Sequence, residues 1–170
     1  MVSCAKITKT SEKIKKNLQM KSFLYFCRDF INNTENRIIM AKKNLIEEAR
    51  RYVENAKKVL RENGCYNQEL KLYEDEKYVR AAGHYLWHSV LLALDAAFNV
   101  RADRRTRVDV KDYLNAVGNR DRKLLALVNN SYNVMHLSMD YDGNQDKDVC
   151  NAAFRLANDI IDRCSRMLKE

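Results

Sequence analysis

Three histidines and the polar residues near them are the side chains best suited to chemistry in this chain. His84 and His88 stand four residues apart, and His136 lies in the segment NNSYNVMHLSMDYDG at residues 129–143. Residues three or four apart share one face of a helix, and imidazole exchanges protons near neutral pH. The spacing therefore raises three hypotheses: a reaction site, a ligand pocket, or a polar network that joins two helices.

Polar residues with this helical spacing occur in two segments, and we call them together the polar seam. They are Arg80, His84, His88 and Asp95 in the first segment, and Tyr132, Asn133, His136 and Tyr141 in the second, with Asp140 and Asp142 at its end. The first segment is otherwise apolar from Tyr85 to Phe98, which is typical of a central helix. If the two helices pack side by side, these polar groups face each other.

Three interpretations of the polar seam stay open. Burying an unpaired polar group costs about 1–3 kcal/mol, which favours an internal hydrogen-bonded network. In that case His136 bonds near Asn133 and the helix end, and Tyr141 packs the turn. The alternatives are a pocket for a small ligand between the two helices, and a catalytic site whose candidates are His136 and Asn129.

Metal and nucleophilic chemistry find little support. His84 and His88 have the spacing of H-E-x-x-H, but Tyr85 replaces the glutamate that zinc hydrolases need. Ser89 and Ser131 lack a nucleophile turn and a glycine-lined oxyanion hole. We predict no metal, no cofactor and a non-enzymatic protein; if it is an enzyme, we expect a metal-independent ribonuclease.

The net charge of +8 is unevenly distributed. Residues 1–40 hold eight Lys and Arg against three Asp and Glu, which leaves 23 against 20 for the rest. Because positive and negative charges nearly balance outside residues 1–40, the sequence argues against general nucleic-acid binding. The nucleic-acid candidates are the arginines of the link RADRRTR, namely Arg101, Arg104, Arg105 and Arg107. We favour a solvated connection that pairs with Asp109 and Asp112.

Composition and periodicity predict an all-α fold, because the chain has no proline and four glycines. Apolar stripes of helical period predict helices at about 44–63, 75–99, 109–117, 121–139 and 146–168. Four long helices and one short one indicate a four-helix bundle with a short accessory helix. Asn44 is the expected N-cap of the first helix. Residues 1–43 are expected to be a basic, irregular or loosely docked extension, with Met40 as the true start.

Apolar runs and cysteines bear on location. No run of about 18 apolar residues exists, and Arg28 and Asp29 end the FLYFC segment before a cleavage site, so we predict neither a membrane span nor a signal peptide. The five cysteines include no C-x-x-C, and Cys150 and Cys164 fall on an apolar stripe as small buried residues. These features favour a location in the cytoplasm.

Several segments carry a resemblance to a known family. YVENAKKVL at 52–60, KYVRAAGHYLWHSVLLALD at 77–95, YNVMHL at 132–137 and YDG at 141–143 together resemble a bacterial family known only as a domain of unknown function. The similarity covers about residues 44–168. It implies a helical bundle and no established activity.

More distantly, the chain resembles the HEPN superfamily of up-and-down helical bundles. The resemblance implies dimers and, in many members, RNA cleavage through an R-x(4–6)-H motif. The nearest match is Asn129 and Asn130 with His136, where asparagine replaces the arginine that would stabilise charge on a phosphate. We therefore predict a module that binds a protein partner, most simply a second copy of itself, with RNA binding or cleavage and small-ligand sensing as alternatives.

Overall fold

The computed structural model describes residues 35–101 and 108–169 of the chain. The chain forms two compact units, Met1–Met40 and Ala41–Glu170. In the first unit the described residues, 35–40, are helical. The predicted extension over residues 1–43 stays a prediction, since residues 1–34 lie outside the described part.

The second unit is almost entirely helical, which confirms the all-α class. Its elements are α1 at residues 41–63, β1 at Tyr66–Asn67, β2 at Leu72–Tyr73, α2 at Glu76–Phe98, α3 at Val110–Gly118, α4 at Arg122–Ser131, a π-helical segment at Tyr132–Tyr141, and α5 at Lys147–Met167. No helix within the two described ranges combines the length and the apolar character that crossing a membrane requires.

Aspartates begin four of these helices. Asp75, Asp109, Asp121 and Asp146 each accept hydrogen bonds from backbone N–H groups of the following turn, which would otherwise lack partners. Their positions confirm the predicted starts of α2, α3, α4 and α5 to within about two residues. The predicted N-cap at Asn44 is wrong, because residues 41–43 are already helical and an N-cap must have a non-helical backbone.

Helix α2 is the centre of the unit, as its apolar sequence predicts. It packs mainly against α5 and the π-helical segment. Its fully buried residues include Val79, Ala82, Leu86, Val90, Ala93, Leu94 and Ala96. Helix α5 contributes one buried stripe that contains Cys150 and Cys164, both free thiols, which confirms that they act as small apolar core residues.

The predicted helix at 121–139 is only partly an α-helix. It changes at Tyr132 into a π-helical segment that continues to Tyr141. Hydrogen bonds from residue i+5 back to residue i widen each turn, as in the bond from Asp142 N to Leu137 O at 2.8 Å. The wider turn brings residues four apart closer to one face, and Met135 and Met139 are both fully buried.

Close contact between α2 and the π-helical segment depends on Gly83. A Cβ atom at Gly83 would lie 2.7 Å from Asp140 N, 2.7 Å from Met139 Cβ and 2.9 Å from Met135 O. These are largely backbone atoms, which cannot move away as the end of a flexible side chain can. The absence of a side chain at Gly83 therefore sets the distance between the two elements that carry the polar seam.

A small β-hairpin lies between α1 and α2, where the sequence predicts only a polar link. Tyr66 pairs with Tyr73 and Asn67 with Leu72 in an antiparallel register. Tyr73 N also donates to Gln145 O at 2.9 Å, which ties the hairpin to the segment before α5. Two-residue strands are too short to show the alternation that reveals a strand in a sequence.

An ion pair joins the start of α4 to α5 and gives a testable pH dependence. Arg163 Nε donates to Asp121 Oδ2 at 2.5 Å, while Asp121 also caps α4. The hydrogen bond from Arg163 holds the pKa of Asp121 below its usual value. A lowered folded-state pKa stabilises the fold above the unfolded-state pKa of about 3.9, and this contribution is lost as the pH falls through the folded-state value.

We therefore expect Asp121→Asn to lower the free energy of unfolding by about 1 kcal/mol at pH 7, because asparagine retains the cap but not the charge. The difference from wild type should shrink as the pH falls below about 3.9 and through the lowered pKa of Asp121. Urea unfolding from pH 7 to about pH 2 measures it. Asp162→Asn is the matched control, since Asp162 pairs with Arg50 in a half-exposed contact that contributes little. If the stability difference between Asp121→Asn and wild type stayed the same in acid, it would not come from the charge of Asp121.

Candidate functional site

Asp140 stands at the meeting point of two histidines. Its Oδ2 atom lies 3.2 Å from His136 Nδ1 and 3.5 Å from His84 Nδ1. His136 precedes Asp140 by four residues on the π-helical segment, whereas His84 comes from α2. The side chain of Asp140 is 23% exposed, while that of His84 is 66% exposed. One carboxylate thus orients two imidazoles at the surface rather than inside the core.

Arg80 fixes the end of the π-helical segment. One turn before His84 on α2, its guanidinium donates to the backbone carbonyl of Asp140 at 3.0 Å and to that of Tyr141. Glu76 holds the other side of the guanidinium at 2.6 Å. These carbonyls belong to the helix end, where intrahelical partners are missing, so Arg80 acts as a C-terminal cap supplied by a neighbouring helix.

Two aromatic rings pack against the imidazole of His136. The ring of Trp87, which is buried, lies nearly parallel to the imidazole with centroids 5.9 Å apart and planes inclined by 21°. Tyr132 contacts His136 with centroids 5.3 Å apart and also packs edge-on against Trp87. With the rings on one side and Asp140 on the other, the orientation of His136 is restricted.

His88 does not join this cluster. Its ring packs against Tyr52 of α1, with centroids 4.6 Å apart in an edge-on arrangement. Burial lowers the pKa of His88, and the electrostatic influence of Arg101 adds to the effect. His88 is therefore neutral at pH 7 and belongs to the contact between α1 and α2 rather than to the one between α2 and the π-helical segment.

Asp95 forms a second polar cluster near the end of α2. The Tyr113 hydroxyl lies 3.0 Å and 3.2 Å from its two carboxylate oxygens, and Arg101 Nε lies 3.1 Å from Oδ2. Arg101 Nε also donates to the Tyr113 hydroxyl at 2.9 Å. Burial, followed by the neighbouring carboxylate, raises the pKa of Tyr113 to about 12. The polar seam therefore divides into two separate groups.

Other predicted site residues lie outside both groups. Asn129 and Asn133 are exposed. The hydrogen-bond partner of His136 is Asp140, which lies at the helix end as predicted, and not Asn133. Tyr141 does not pack the turn, because it is 74% exposed. Leu137, 37% exposed on the same segment, was not singled out from the sequence, although an apolar residue between polar neighbours was the available signal.

The arginine link is described only at its first residue. Arg101 pairs with Asp95, and Arg104, Arg105 and Arg107 lie outside the described residues. The predicted pairing of the link with Asp109 and Asp112 stays a prediction, because three of its arginines lie outside the described residues. Asp109 and Asp112 also have a structural role at the start of the next helix. They form a capping box at the start of α3, in which each side chain accepts a backbone hydrogen bond from the other's residue.

The chemistry available at the surface cluster is proton exchange and hydrogen bonding. Two imidazoles that share one carboxylate can donate to, or accept from, a molecule that docks on them. The two serines considered as nucleophiles are fully buried, and their hydroxyls donate to the carbonyls of Leu86 and Leu127 within their own helices. A substrate cannot reach either one.

Comparison with known proteins gives this helical unit a family. Residues 44–166 match the family model described as Domain of unknown function, DUF5618. The chain belongs to this family. It is also similar to a solved structure titled protein of unknown function from Dyadobacter fermentans, with 36% sequence identity, a TM-score of 0.66, and coverage of 73% of this chain and 96% of that one.

The boundaries of the DUF5618 match agree with the structure. It begins inside α1 and ends one residue before the end of α5, so it includes the hairpin, the π-helical segment and both polar clusters. This confirms the predicted resemblance to a domain-of-unknown-function family and its extent. No curated protein matches the chain.

Proposed function

We propose that this protein is a non-enzymatic module that associates with a second copy of itself through the surface around Asp140. The further proposals are that its helices form an up-and-down four-helix bundle of the HEPN-like type and that it resides in the cytoplasm. Free thiols at Cys65, Cys150 and Cys164 support the last point, since a reducing compartment preserves them. We call the surface formed by His84, His136, Leu137, Asp140 and Tyr141 the π face.

The single observation that carries the proposal is the exposure of large side chains on the π face. Tyr141 is 74% exposed, and Leu137 is 37% exposed on the same segment. Tyrosine is enriched among the residues that dominate binding energy, because it offers a large apolar ring and a hydroxyl at low entropic cost. Histidine and aspartate beside it supply directional polar contacts.

The π face is also held rigidly. Gly83 lets the backbone of the segment lie directly against α2, and Arg80 ties down the carbonyls of Asp140 and Tyr141. A surface that is already ordered loses less entropy on binding than a flexible loop does. The tie at Tyr141 therefore lowers the cost of presenting its ring to a partner.

The polar groups of the π face suit a twofold partner. In a symmetric dimer each surface meets a copy of itself, so it must contain both donors and acceptors. Asp140 supplies the acceptor, and the His84 imidazole, largely exposed, supplies the donor. The exposed apolar residues Leu137 and Tyr141 would exclude water around these contacts.

Sedimentation velocity on the full chain tests the proposal. Wild type should form a dimer at micromolar concentration, and Tyr141→Ser combined with Leu137→Ser should weaken the dimer about 100-fold, as expected when hot-spot side chains are removed. Leu70→Ser is the matched control, since Leu70 is 65% exposed elsewhere in the unit. A wild-type monomer at high concentration, or a dimer insensitive to the double substitution, would overturn the proposal.

RNA binding or cleavage is less well supported at this surface. Cleavage needs a cation to balance negative charge on phosphate, whereas the cluster contains the carboxylate of Asp140 itself. The nearby guanidinium of Arg80 already binds Glu76 and two backbone carbonyls. The DUF5618 chain therefore offers a protein-binding surface here rather than a phosphate-binding one.

A further inference from the structure

We propose that a second surface of the molecule, distinct from the π face, binds a nucleotide: a planar base joined to a phosphate. The site is a pocket of about 520 Å³ between α1, the hairpin and the start of α5. Its volume falls within the range of about 300–1,000 Å³ that small-molecule sites occupy. No residue of the polar seam lines it.

The charged side chains that line this pocket in the described part of the chain are all positive. Lys57 and Arg61 project from α1, and Lys147 comes from the first turn of α5. Lys57 pairs with Glu54 at 2.7 Å, and Arg61 lies 3.5 Å from Glu62. Pairs of this kind at an exposed surface contribute little, so both side chains are free to reorient toward a bound phosphate. Among the described residues, no carboxylate lines the pocket to repel it.

Aromatic rings form the other half of the pocket. Tyr66 and Tyr73 are paired across the hairpin, with ring centroids 5.3 Å apart, and Phe154 of α5 adds a third ring. Bases stack on such rings with a gain of about 1–3 kcal/mol each. Lys147 Nζ lies over one face of the Tyr66 ring, 4.3 Å from its centre, so a cation contacts this ring directly and a base would stack on the ring faces that remain open.

The pocket is built by specific contacts rather than by chance. The ring of Tyr73 lies against Gly64, where a Cβ atom would come within 2.8 Å of Cδ1. Lys147 N donates to Lys71 O at 3.0 Å, which joins the hairpin to α5 beside the pocket. These backbone contacts hold Lys147 and the hairpin rings next to each other, while Lys57 and Arg61 can turn toward a bound phosphate.

Isothermal titration calorimetry on the full chain tests the inference with AMP and GMP. Adenosine and ribose 5-phosphate serve as the base and the phosphate alone, and each should bind at least about ten-fold more weakly than the intact nucleotide. A 5′-phosphorylated tetranucleotide distinguishes a free nucleotide from the end of a nucleic acid strand as the natural ligand. If it binds more tightly than AMP or GMP and depends on the same residues, the site binds a strand end. Saturable binding of AMP or GMP would assign it to free nucleotides.

Three variants locate the site. Arg61→Ala and Tyr66→Ala should each weaken binding about ten-fold, by removal of a charged contact and a stacking ring, whereas Tyr66→Phe should retain affinity. Lys58→Ala is the matched control, since Lys58 is an exposed cation on α1 that does not line the pocket. Equal affinity for ribose 5-phosphate and AMP, absence of saturable binding, or unchanged affinity in Arg61→Ala and Tyr66→Ala would each overturn the inference.

Discussion

Replacing Gly83 by alanine should destabilise the protein by about 3 kcal/mol, because the new methyl group collides with backbone that has no room to move. Its Cβ would approach Asp140 N and Met139 Cβ to 2.7 Å. Alanine is intrinsically better than glycine in a helix by about 1 kcal/mol, so the collision must outweigh a favourable term. A loss of stability on Gly→Ala inside a helix is thus a specific sign of this close contact.

Gly118→Ala provides the matched comparison in the same protein. Gly118 also lies in a helix, at the end of α3, but its new Cβ would meet only the methyl groups of Leu125 at 3.3 Å and 3.9 Å. A flexible side chain can yield by a few tenths of an ångström. We expect Gly118→Ala to change the free energy of urea unfolding by less than about 1 kcal/mol in either direction. Equal stabilities for the two variants would contradict the role assigned to Gly83.

The Gly83 substitution also connects stability to the proposed function. The contact at Gly83 sets the distance between His84 on α2 and Asp140 on the π-helical segment. Pushing the two elements apart would separate this pair and loosen the hold of Arg80 on the Tyr141 carbonyl. Gly83→Ala should therefore weaken self-association as well, at temperatures where it is still folded.

The helices were largely predictable because their signals are local. An apolar pattern that continues all around α2 indicates a helix surrounded by others, and aspartates mark where α3, α4 and α5 begin. The π-helical segment was not predictable. Its residues have the same three- and four-residue spacing that an α-helix shows. Met135 and Met139 are buried there beside Gly83 of α2, a tertiary contact that no local pattern encodes.

The polar residues also divide into features that local spacing predicts and features that depend on tertiary packing. Helical spacing correctly placed His84 and His136 toward one another through Asp140. It grouped His88 and Asp95 with them as well, yet His88 meets Tyr52 and Asp95 meets Tyr113. Spacing along one helix shows which residues share a side of that helix. Which residues each of them contacts depends on the length of the neighbouring helices and on the angle at which they cross.

The Asp95 cluster gives the second large expected effect. Asp95 is 7% exposed, and its carboxylate is paired with Arg101 and with the Tyr113 hydroxyl. We expect Asp95→Ala to lower the free energy of unfolding by about 2–3 kcal/mol, since the change leaves the buried Tyr113 hydroxyl without its acceptor, while the half-exposed Arg101 is hydrated. Tyr113→Phe should cost about 1–2 kcal/mol. The double variant should lose less than the sum, because both changes remove the same contacts.

The pH dependence of Asp95→Ala separates burial from pairing. Burial raises the pKa of Asp95, more than Arg101 and Tyr113 lower it. A carboxyl whose folded-state pKa is raised binds its proton more tightly when folded, so wild type gains stability relative to the alanine variant as the pH falls through that raised value toward about 3.9. The difference in urea unfolding should therefore widen from pH 7 to pH 4. A difference that narrows would mean that the charge pairing with Arg101 outweighs desolvation. The pKa of Asp95 would then be lowered, as that of Asp121 is, rather than raised.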